Sequence, residues 1–86
     1  MNSDPIQLEV FPDAITLRKI DPAKNMRRFF LMTAQRDLFG RGRLTIEFGH
    51  IGQAGRVFVR HFENEAEAIN TLAVQIERKQ KRGYQI

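Results

Sequence analysis

Two alternating stretches on either side of a glycine-containing interval most strongly constrain how this chain folds. Apolar residues occupy every second position in residues 43–48, and residues 56–62 alternate again. Glycines occupy positions 49, 52 and 55 between them. A period of two places successive side chains on opposite faces of a strand, and glycines permit a chain reversal. The pattern predicts two antiparallel strands joined by a loop, which presents Phe48, His50, Gln53 and Arg56 near one end of a sheet.

Two earlier segments complete the predicted sheet. Residues 15–20 are rich in β-branched side chains and end at Asp21-Pro22, which favours a turn. Residues 28–35 are apolar on both faces as far as Ala34, which is typical of a central strand or one covered by a helix. Residues 8–11 are a candidate fifth strand at an edge. The side chains in the second segment that we expect in the core are Phe29, Phe30 and Met32.

A helix is predicted after the last strand. Asn64 is followed three positions later by Glu67, a pattern typical of a helix N-cap, and Gly83 is the expected end. Apolar residues recur between them at helical spacing, which predicts one buried face. These residues are Ile69, Leu72, Ala73 and Ile76. The sequence therefore predicts an α+β fold, an antiparallel sheet of four to five strands packed against one C-terminal α-helix, with residues 1–86 forming a single domain.

The composition argues against catalysis and bound cofactors. The chain has no cysteine, so it has neither a disulfide framework nor a thiolate zinc site. Its two histidines lack a third ligand at metal-binding spacing, so no metal is expected. Ser3 is the only serine, and no paired carboxylates mark an acid–base site. We expect a protein that is not an enzyme and carries no cofactor.

The chain also lacks the usual membrane signals. Its longest apolar run, residues 29–32, is far too short to span a bilayer, and residues 1–5 do not resemble a signal peptide. These features predict a cytoplasmic location without a membrane partner.

Positive charge is concentrated in two regions. Residues 36–62 carry five basic and two acidic side chains, and residues 78–86 carry four basic side chains and none that is acidic. Such clusters permit a polyanionic partner such as nucleic acid. They also have ordinary interpretations, because arginines are common on solvent-facing strands and cations stabilise the C-terminal end of a helix. Taken as a group, the arginines that would line a phosphate-binding rim are Arg41, Arg43, Arg56 and Arg60.

Short motifs in a fixed order support a family resemblance. They are Leu17–Pro22, Asn25, Arg28–Phe30, Asp37–Gly40, Phe48–Gly52 with Gly55, Glu67-Ala68, and Lys79 with Lys81–Tyr84. Through these motifs the chain from about residue 15 to residue 84 resembles the WGR domain, most closely the compact bacterial proteins related to the domain of the molybdate metabolism regulator. The same domain occurs in DNA-dependent poly(ADP-ribose) polymerases. The resemblance implies a sheet with one helix and a nucleic-acid-binding role.

The resemblance also assigns roles to individual residues. It places Phe48, Gly49 and His50 at the Trp-Gly-Arg signature, Arg56 near a basic position after the loop, and Lys79 at a helix-end lysine. In the polymerases the tryptophan stacks at the end of a broken DNA strand, and the arginine and nearby lysines meet phosphate or relay contact to a catalytic domain. Because the WGR-like unit takes up nearly all of the 86 residues, we expect no such catalytic domain here.

Two of the three signature residues differ here. Phenylalanine keeps an aromatic ring but lacks the N–H donor of indole, and histidine gives up the permanent charge and two-pronged fork of arginine.

Two functional hypotheses follow. The first hypothesis is DNA binding through backbone or strand-end contacts. The second is a protein-interaction or homo-oligomerisation module that has lost DNA binding, with an unpaired edge strand from residues 8–11 or 15–20 adding to a partner's sheet. The residues predicted to contact nucleic acid are Phe48, Gly49, His50, Arg41, Arg43, Arg56 and Lys79.

The exposure of the Phe48 ring distinguishes a structural role for this residue from a role in binding. It continues the apolar face formed by Leu44 and Ile46, so the strand period alone predicts a ring in the core or at its edge. The neighbouring glycines and the family resemblance favour an exposed ring instead.

Overall fold

The computed structural model describes residues 14–86, which form a four-stranded antiparallel sheet with one helix across one face. The elements are β1 (Ala14–Asp21), β2 (Met26–Arg36), β3 (Gly42–His50), β4 (Arg56–Phe62) and α1 (Glu65–Lys81). Each strand pairs with its neighbours in sequence, in the order β1-β2-β3-β4. The predicted α+β fold is confirmed, and the candidate strand at residues 8–11 lies outside the described residues.

The core lies between α1 and the sheet face that it covers, called here the helix face. Leu17, Met32, Leu44 and Leu72 are the largest fully buried side chains, and each contributes about 1.5–3 kcal/mol when removed from water. The remaining buried apolar residues are Ile15, Ala34, Ala68, Ile76 and Tyr84. α1 packs mainly on β2 and β3, so β4 extends beyond the helix as an edge strand.

The helix buries a narrower stripe than the sequence predicts. Ala68, Leu72 and Ile76 are buried, Ile69 is half-buried and Ala73 is exposed. The prediction that Ala73 belongs to the core was wrong. Successive residues are rotated by about 100° around a helix, which carries Ala73 past the sheet surface that Leu72 contacts.

Of the three residues predicted in the core of β2, only Met32 is buried. Phe29 and Phe30 are half-buried, and they lie on opposite faces because strand residues alternate. Phe29 packs across the backbone of Gly49 and Gly55 on the face opposite to the helix. A Cβ atom added to Gly55 would lie 3.0 Å from the Phe29 ring, and one added to Gly49 would lie 3.0 Å from the Gly55 Cα atom. These two glycines therefore allow the hairpin to close around the ring.

The β3–β4 loop is shorter than predicted. Gly49 and His50 belong to β3, and the Ile51 N–H group still donates to the Arg27 carbonyl oxygen at 2.9 Å. The chain then reverses in a turn in which the Gln53 N–H group donates to the His50 carbonyl oxygen at 3.1 Å. Gly52 has φ of 88° in this turn, a conformation that favours glycine.

Side-chain hydrogen bonds define the start of α1 as predicted. The Asn64 Oδ1 atom accepts from the Glu67 N–H group at 2.9 Å, and Glu67 in turn accepts from the Glu63 N–H group at 3.1 Å. Two N–H groups at the start of the helix are thereby satisfied. The capping arrangement is typically worth about 1 kcal/mol.

A Schellman motif ends the helix and turns the chain back toward the sheet. The Tyr84 N–H group donates to the Lys79 carbonyl oxygen and the Gly83 N–H group to that of Gln80, each at 3.0 Å, with Gly83 at φ of 96°. Gln85 then exchanges two backbone hydrogen bonds of 2.8 Å with Arg18 in β1. This return inserts Tyr84 into the core. No helix within residues 14–86 is long and apolar enough to cross a membrane.

Candidate nucleic-acid interface

Phe48, His50 and Arg56 lie together on the helix face, at the end of the sheet nearest the C-terminal turn of α1. The register pairs Phe48 with both Phe30 and Arg56, and His50 with Arg28. Directly opposed residues in antiparallel strands share a face. Arg28, His50 and Arg56 are exposed there, and Phe48 is half-buried. The sheet therefore gathers three groups capable of bearing positive charge around one aromatic ring.

Four aromatic side chains, called here the aromatic row, cross the sheet at this end. Phe48 lies between two nearly parallel rings, with centroids 5.3 Å from Phe30 at 20° and 5.7 Å from Phe58 at 12°. Tyr84 meets the other side of Phe30 edge-on, at 5.2 Å and 75°. The row thus runs Tyr84, Phe30, Phe48, Phe58 from the β1 side of the sheet to its β4 edge. Each such pair contributes about 0.5–1.5 kcal/mol beyond its burial.

The position of Phe48 is intermediate between the two alternatives predicted from the sequence, a ring in the core and a ring exposed to solvent. The ring is half-buried and is not one of the buried residues of the core beneath the helix. Nor does it stand free in solvent, since parallel rings flank it on both sides. Phe48 is the middle ring of the three stacked phenylalanines in the aromatic row, at the border of the core.

Two lysines hold their ammonium groups against the aromatic row. The Lys79 Nζ atom lies 4.1 Å from the centroid of the Phe30 ring, and the Lys19 Nζ atom lies 5.8 Å from that of Tyr84. A cation over a ring face gains about 0.5–2 kcal/mol, according to its exposure. Burial, followed by repulsion from Arg82, lowers the pKa of Lys79 below its ordinary value. Lys79 is therefore a partly desolvated cation with a like charge beside it.

Two shallow grooves, each of about 350 Å³, meet at Phe48. Both are lined by Arg28, Phe48 and Gly49. The groove toward α1 adds the cationic side chains of Lys19, Lys79 and Arg82, and the groove toward the β3–β4 loop adds His50 and Arg56. Phe48 thus forms the border between two basic depressions.

The charge on the helix face is strongly asymmetric. Among its strand positions Asp21 is the only acid, and it lies in β1. Five cations occupy other strand positions of the same face: Lys19, Arg28, Arg36, Arg56 and Arg60. Within residues 14–86 the one salt bridge joins Arg41 to Asp37, so none of these five is neutralised by an ion pair there.

Arg41 and Arg43 are not part of this cluster. Arg41 lies at the β2–β3 turn, roughly 25 Å along β3 from the Phe48 end, and pairs with Asp37 at 3.1 Å. Arg43 faces the opposite side of the sheet, where its Nη2 atom donates to the Gln35 Oε1 atom at 2.8 Å. Of the four arginines considered for one rim, the fold places Arg56 and Arg60 together on the helix face of β4.

Several residues of this surface were missed by reasoning from the sequence. Arg28 and Lys19 belong to the family motifs but were assigned no role at the site, and Phe30 was assigned to the core. Their positions depend on strand register, which pairs Arg28 with both Lys19 and His50. Phe58 did carry a signal, because arginine and phenylalanine alternate on its side of β4. The sequence does not say which face of β4 lies on the helix side of the sheet, so this signal could be interpreted only from the structure.

The two histidines are separated by the fold. His50 lies on the helix face at one end of β3, and His61 lies on the opposite face near the far end of β4. No cluster of three or more potential metal-binding side chains occurs within residues 14–86.

Comparison with known proteins gives the family. The chain is 34% identical over 73 residues to an uncharacterized protein, y4dW, of Sinorhizobium fredii (strain NBRC 101917 / NGR234). The match covers 85% of this chain and 36% of that protein, so the chain spans about a third of the relative's length. No solved structure matches the chain. The sequence pattern of the WGR domain matches residues 13–86, and the protein therefore belongs to the WGR domain family.

Proposed function

We propose that this protein is a non-catalytic nucleic-acid-binding module, with DNA as its ligand, and that the backbone of a strand or strand end lies in the two grooves beside Phe48. Residues 1–86 act as one WGR domain in this proposal. A cytoplasmic location accords with it, because bacterial DNA is found there.

The observation that carries the proposal is the meeting of two cation-lined grooves at one aromatic ring. Arg28 lines both grooves, with Lys79 on one side of Phe48 and Arg56 on the other. A polyanion crossing this border would pass several cations that have no ion-pair partner within residues 14–86, while its sugars contact the ring. Phosphate contacts of this kind supply most of the sequence-independent affinity for DNA.

The geometry favours recognition of backbone over recognition of sequence. Among the elements of residues 14–86, the one long helix packs its buried stripe on the sheet, so it is not free to enter a major groove. The groups available on the helix face are mainly cations and ring surfaces. Cations position phosphates without reading base edges, so we expect similar affinity for DNA of different sequences.

Fluorescence anisotropy with blunt duplex, nicked duplex and single-stranded DNA, each at two salt concentrations, tests this function. Neutralising Z phosphates gives a slope of about −0.9Z in log K against log salt for duplex DNA, so contacts from three cations correspond to about −2.7. We expect micromolar, salt-sensitive binding. Absence of salt-sensitive binding at micromolar protein would contradict the proposal.

A second candidate function is protein binding through the β2–β3 turn. Leu38 is 99% exposed and Phe39 is 80% exposed at its tip. The tip is preorganised, because the Asp37 carboxylate accepts from the N–H groups of Phe39 at 2.9 Å and Arg41 at 2.8 Å. Two large apolar side chains on a fixed turn would fit an apolar pocket of another protein.

Site-specific crosslinking separates this second function from non-specific contact. A benzophenone side chain placed at Phe39 should give a discrete adduct in cells, whereas the same group at exposed Lys24 should not. Leu38→Asp should abolish the adduct at position 39. Identical adducts at both positions, or an adduct unaffected by Leu38→Asp, would contradict a protein-binding tip.

The β4 edge is a poorer site for self-association by strand pairing. Arg56, Arg60 and His61 lie along β4, and that strand contains no acid. A second copy pairing β4 against β4 would bring like charges together across the new ladder.

A further inference from the structure

The open end of the aromatic row lies at Phe58. Phe48 has a parallel ring on each side, whereas Phe58 has one neighbour in the row and lies on the last strand of the described sheet. Its side chain is 53% exposed although it occupies the helix face. An incoming planar group can therefore extend the stack at Phe58 without displacing a ring, whereas at Phe48 the ring faces are already flanked.

Cations border this open ring along the same strand. Arg56 precedes Phe58 by two residues and Arg60 follows it by two, so the three side chains share a face and their Cα atoms are separated by roughly 7 Å steps. The Arg60 guanidinium lies 5.2 Å from the centroid of Phe62, which gives it an aromatic support. No acid occupies this face of β4.

From this arrangement we propose that Phe58 stacks on an unpaired nucleobase while Arg56 and Arg60 contact the flanking phosphates. This inference rests on the nucleic-acid-binding function proposed above and specifies its ligand, a strand with a single-stranded extension. A purely apolar partner does not account for cations on both sides of the ring. Alternation of cations with a stacking ring is the arrangement by which proteins hold single strands without reading their sequence.

The test uses one duplex in three forms: blunt, with a three-nucleotide single-stranded extension, and with the same extension made of abasic residues. The abasic extension keeps the phosphates and lacks the bases, so it isolates stacking. Extensions of both polarities are measured by anisotropy at two salt concentrations, and affinities are compared at the same salt. Stacking of one base should make the normal extension bind roughly 5- to 150-fold more tightly than its abasic form in at least one polarity.

Variants at Phe58 complete the test. Phe58→Leu keeps an apolar side chain on the strand but removes the ring. The ratio of the affinities for the normal and abasic extensions should therefore fall to about one, while the affinity for blunt duplex changes less than about twofold. Phe58→Tyr should retain the preference. Val59→Ala, on the opposite face of β4, is the control and should behave as wild type.

The outcomes distinguish the two proposals. If no probe binds in a salt-sensitive manner, both are overturned. If all probes bind but normal and abasic extensions bind equally in both polarities, base stacking is overturned and backbone binding stands. A preference for bases that persists in Phe58→Leu also overturns the assignment of stacking to Phe58.

Discussion

The Nζ atom of Lys79 lies 4.1 Å from the centroid of the Phe30 ring. This contact connects the last turn of the helix to the middle of the sheet. Lys79 is half-buried there, and its lowered pKa arises first from burial and then from Arg82. A cation placed in this way has lost part of its hydration shell. It can therefore meet a phosphate without losing a full hydration shell.

Lys79→Gln should weaken DNA binding at every sequence. If Lys79 contacts one phosphate, its loss should also reduce the magnitude of the salt slope by about 1. Lys81→Gln is the matched control, because Lys81 lies on the same turn but is exposed and lines neither groove beside Phe48. Equal losses from the two changes would mean that the helix end acts only through general charge.

His50→Arg should strengthen binding and make it more salt-sensitive. The substitution restores a permanent charge beside Arg28 and Phe48, where the register places position 50 at the border of the groove. His61→Arg adds the same charge on the opposite face of the sheet and should have a smaller effect. Salt titrations of both variants measure the difference, and a gain that is larger for His61→Arg would contradict the placement of the interface.

Phe48→Ala should lower both stability and affinity. The ring is half-buried between Phe30 and Phe58, so we expect a loss of about 1–3 kcal/mol in the free energy of unfolding, below the 3–5 kcal/mol typical of fully buried phenylalanine. Phe48→Leu should keep most of the stability and still bind more weakly. Urea unfolding and anisotropy on the same samples test this. Unchanged binding in a folded Phe48→Leu variant would show that the ring is purely structural.

Asp37 should make stability depend on pH in the acid range. Desolvation raises the pKa of Asp37, but hydrogen bonds from the Arg41 and Phe39 N–H groups, together with the Arg41 charge, lower it by more, to below its ordinary value. A carboxyl with a lowered pKa in the folded state stabilises the protein above its unfolded pKa, about 3.9, and loses this contribution as the pH falls through the folded value.

Thermal unfolding of wild type and Asp37→Asn across this range is the measurement. The difference in Tm should be constant above about pH 5 and shrink below about pH 4. A difference that grows on acidification would have the wrong sign for this interaction.

Local patterns predicted the elements well because their causes are local. The N-cap at Asn64 and the helix end near Gly83 follow from hydrogen bonds within a few residues. Alternation in β3 likewise placed Leu44, Ile46 and Phe48 on one face, which the register confirms. The helix stripe was less accurate at Ala73, because the width of a buried face depends on the surface opposite.

The surface around Phe48 could not be assembled from the sequence because it depends on register. Arg28 reaches His50 only through the pairing of β2 with β3, and Tyr84 reaches Phe30 only because the Schellman motif reverses the chain. Arg41 is close to Phe48 in sequence, yet the length of β3 separates the two. Proximity along the chain was a poor guide on an extended strand.

A comparison of two double variants tests most directly whether the protein binds nucleic acid through its helix face. Arg28→Gln with Arg56→Gln removes two exposed cations from the grooves at Phe48, and Arg18→Gln with Arg27→Gln removes two exposed cations from the opposite face. In anisotropy titrations against duplex DNA, the first pair should lose affinity and reduce the magnitude of the salt slope by about 2, and the second should stay close to wild type. Equal losses in the two variants, or a larger loss from the second, would contradict binding through the helix face.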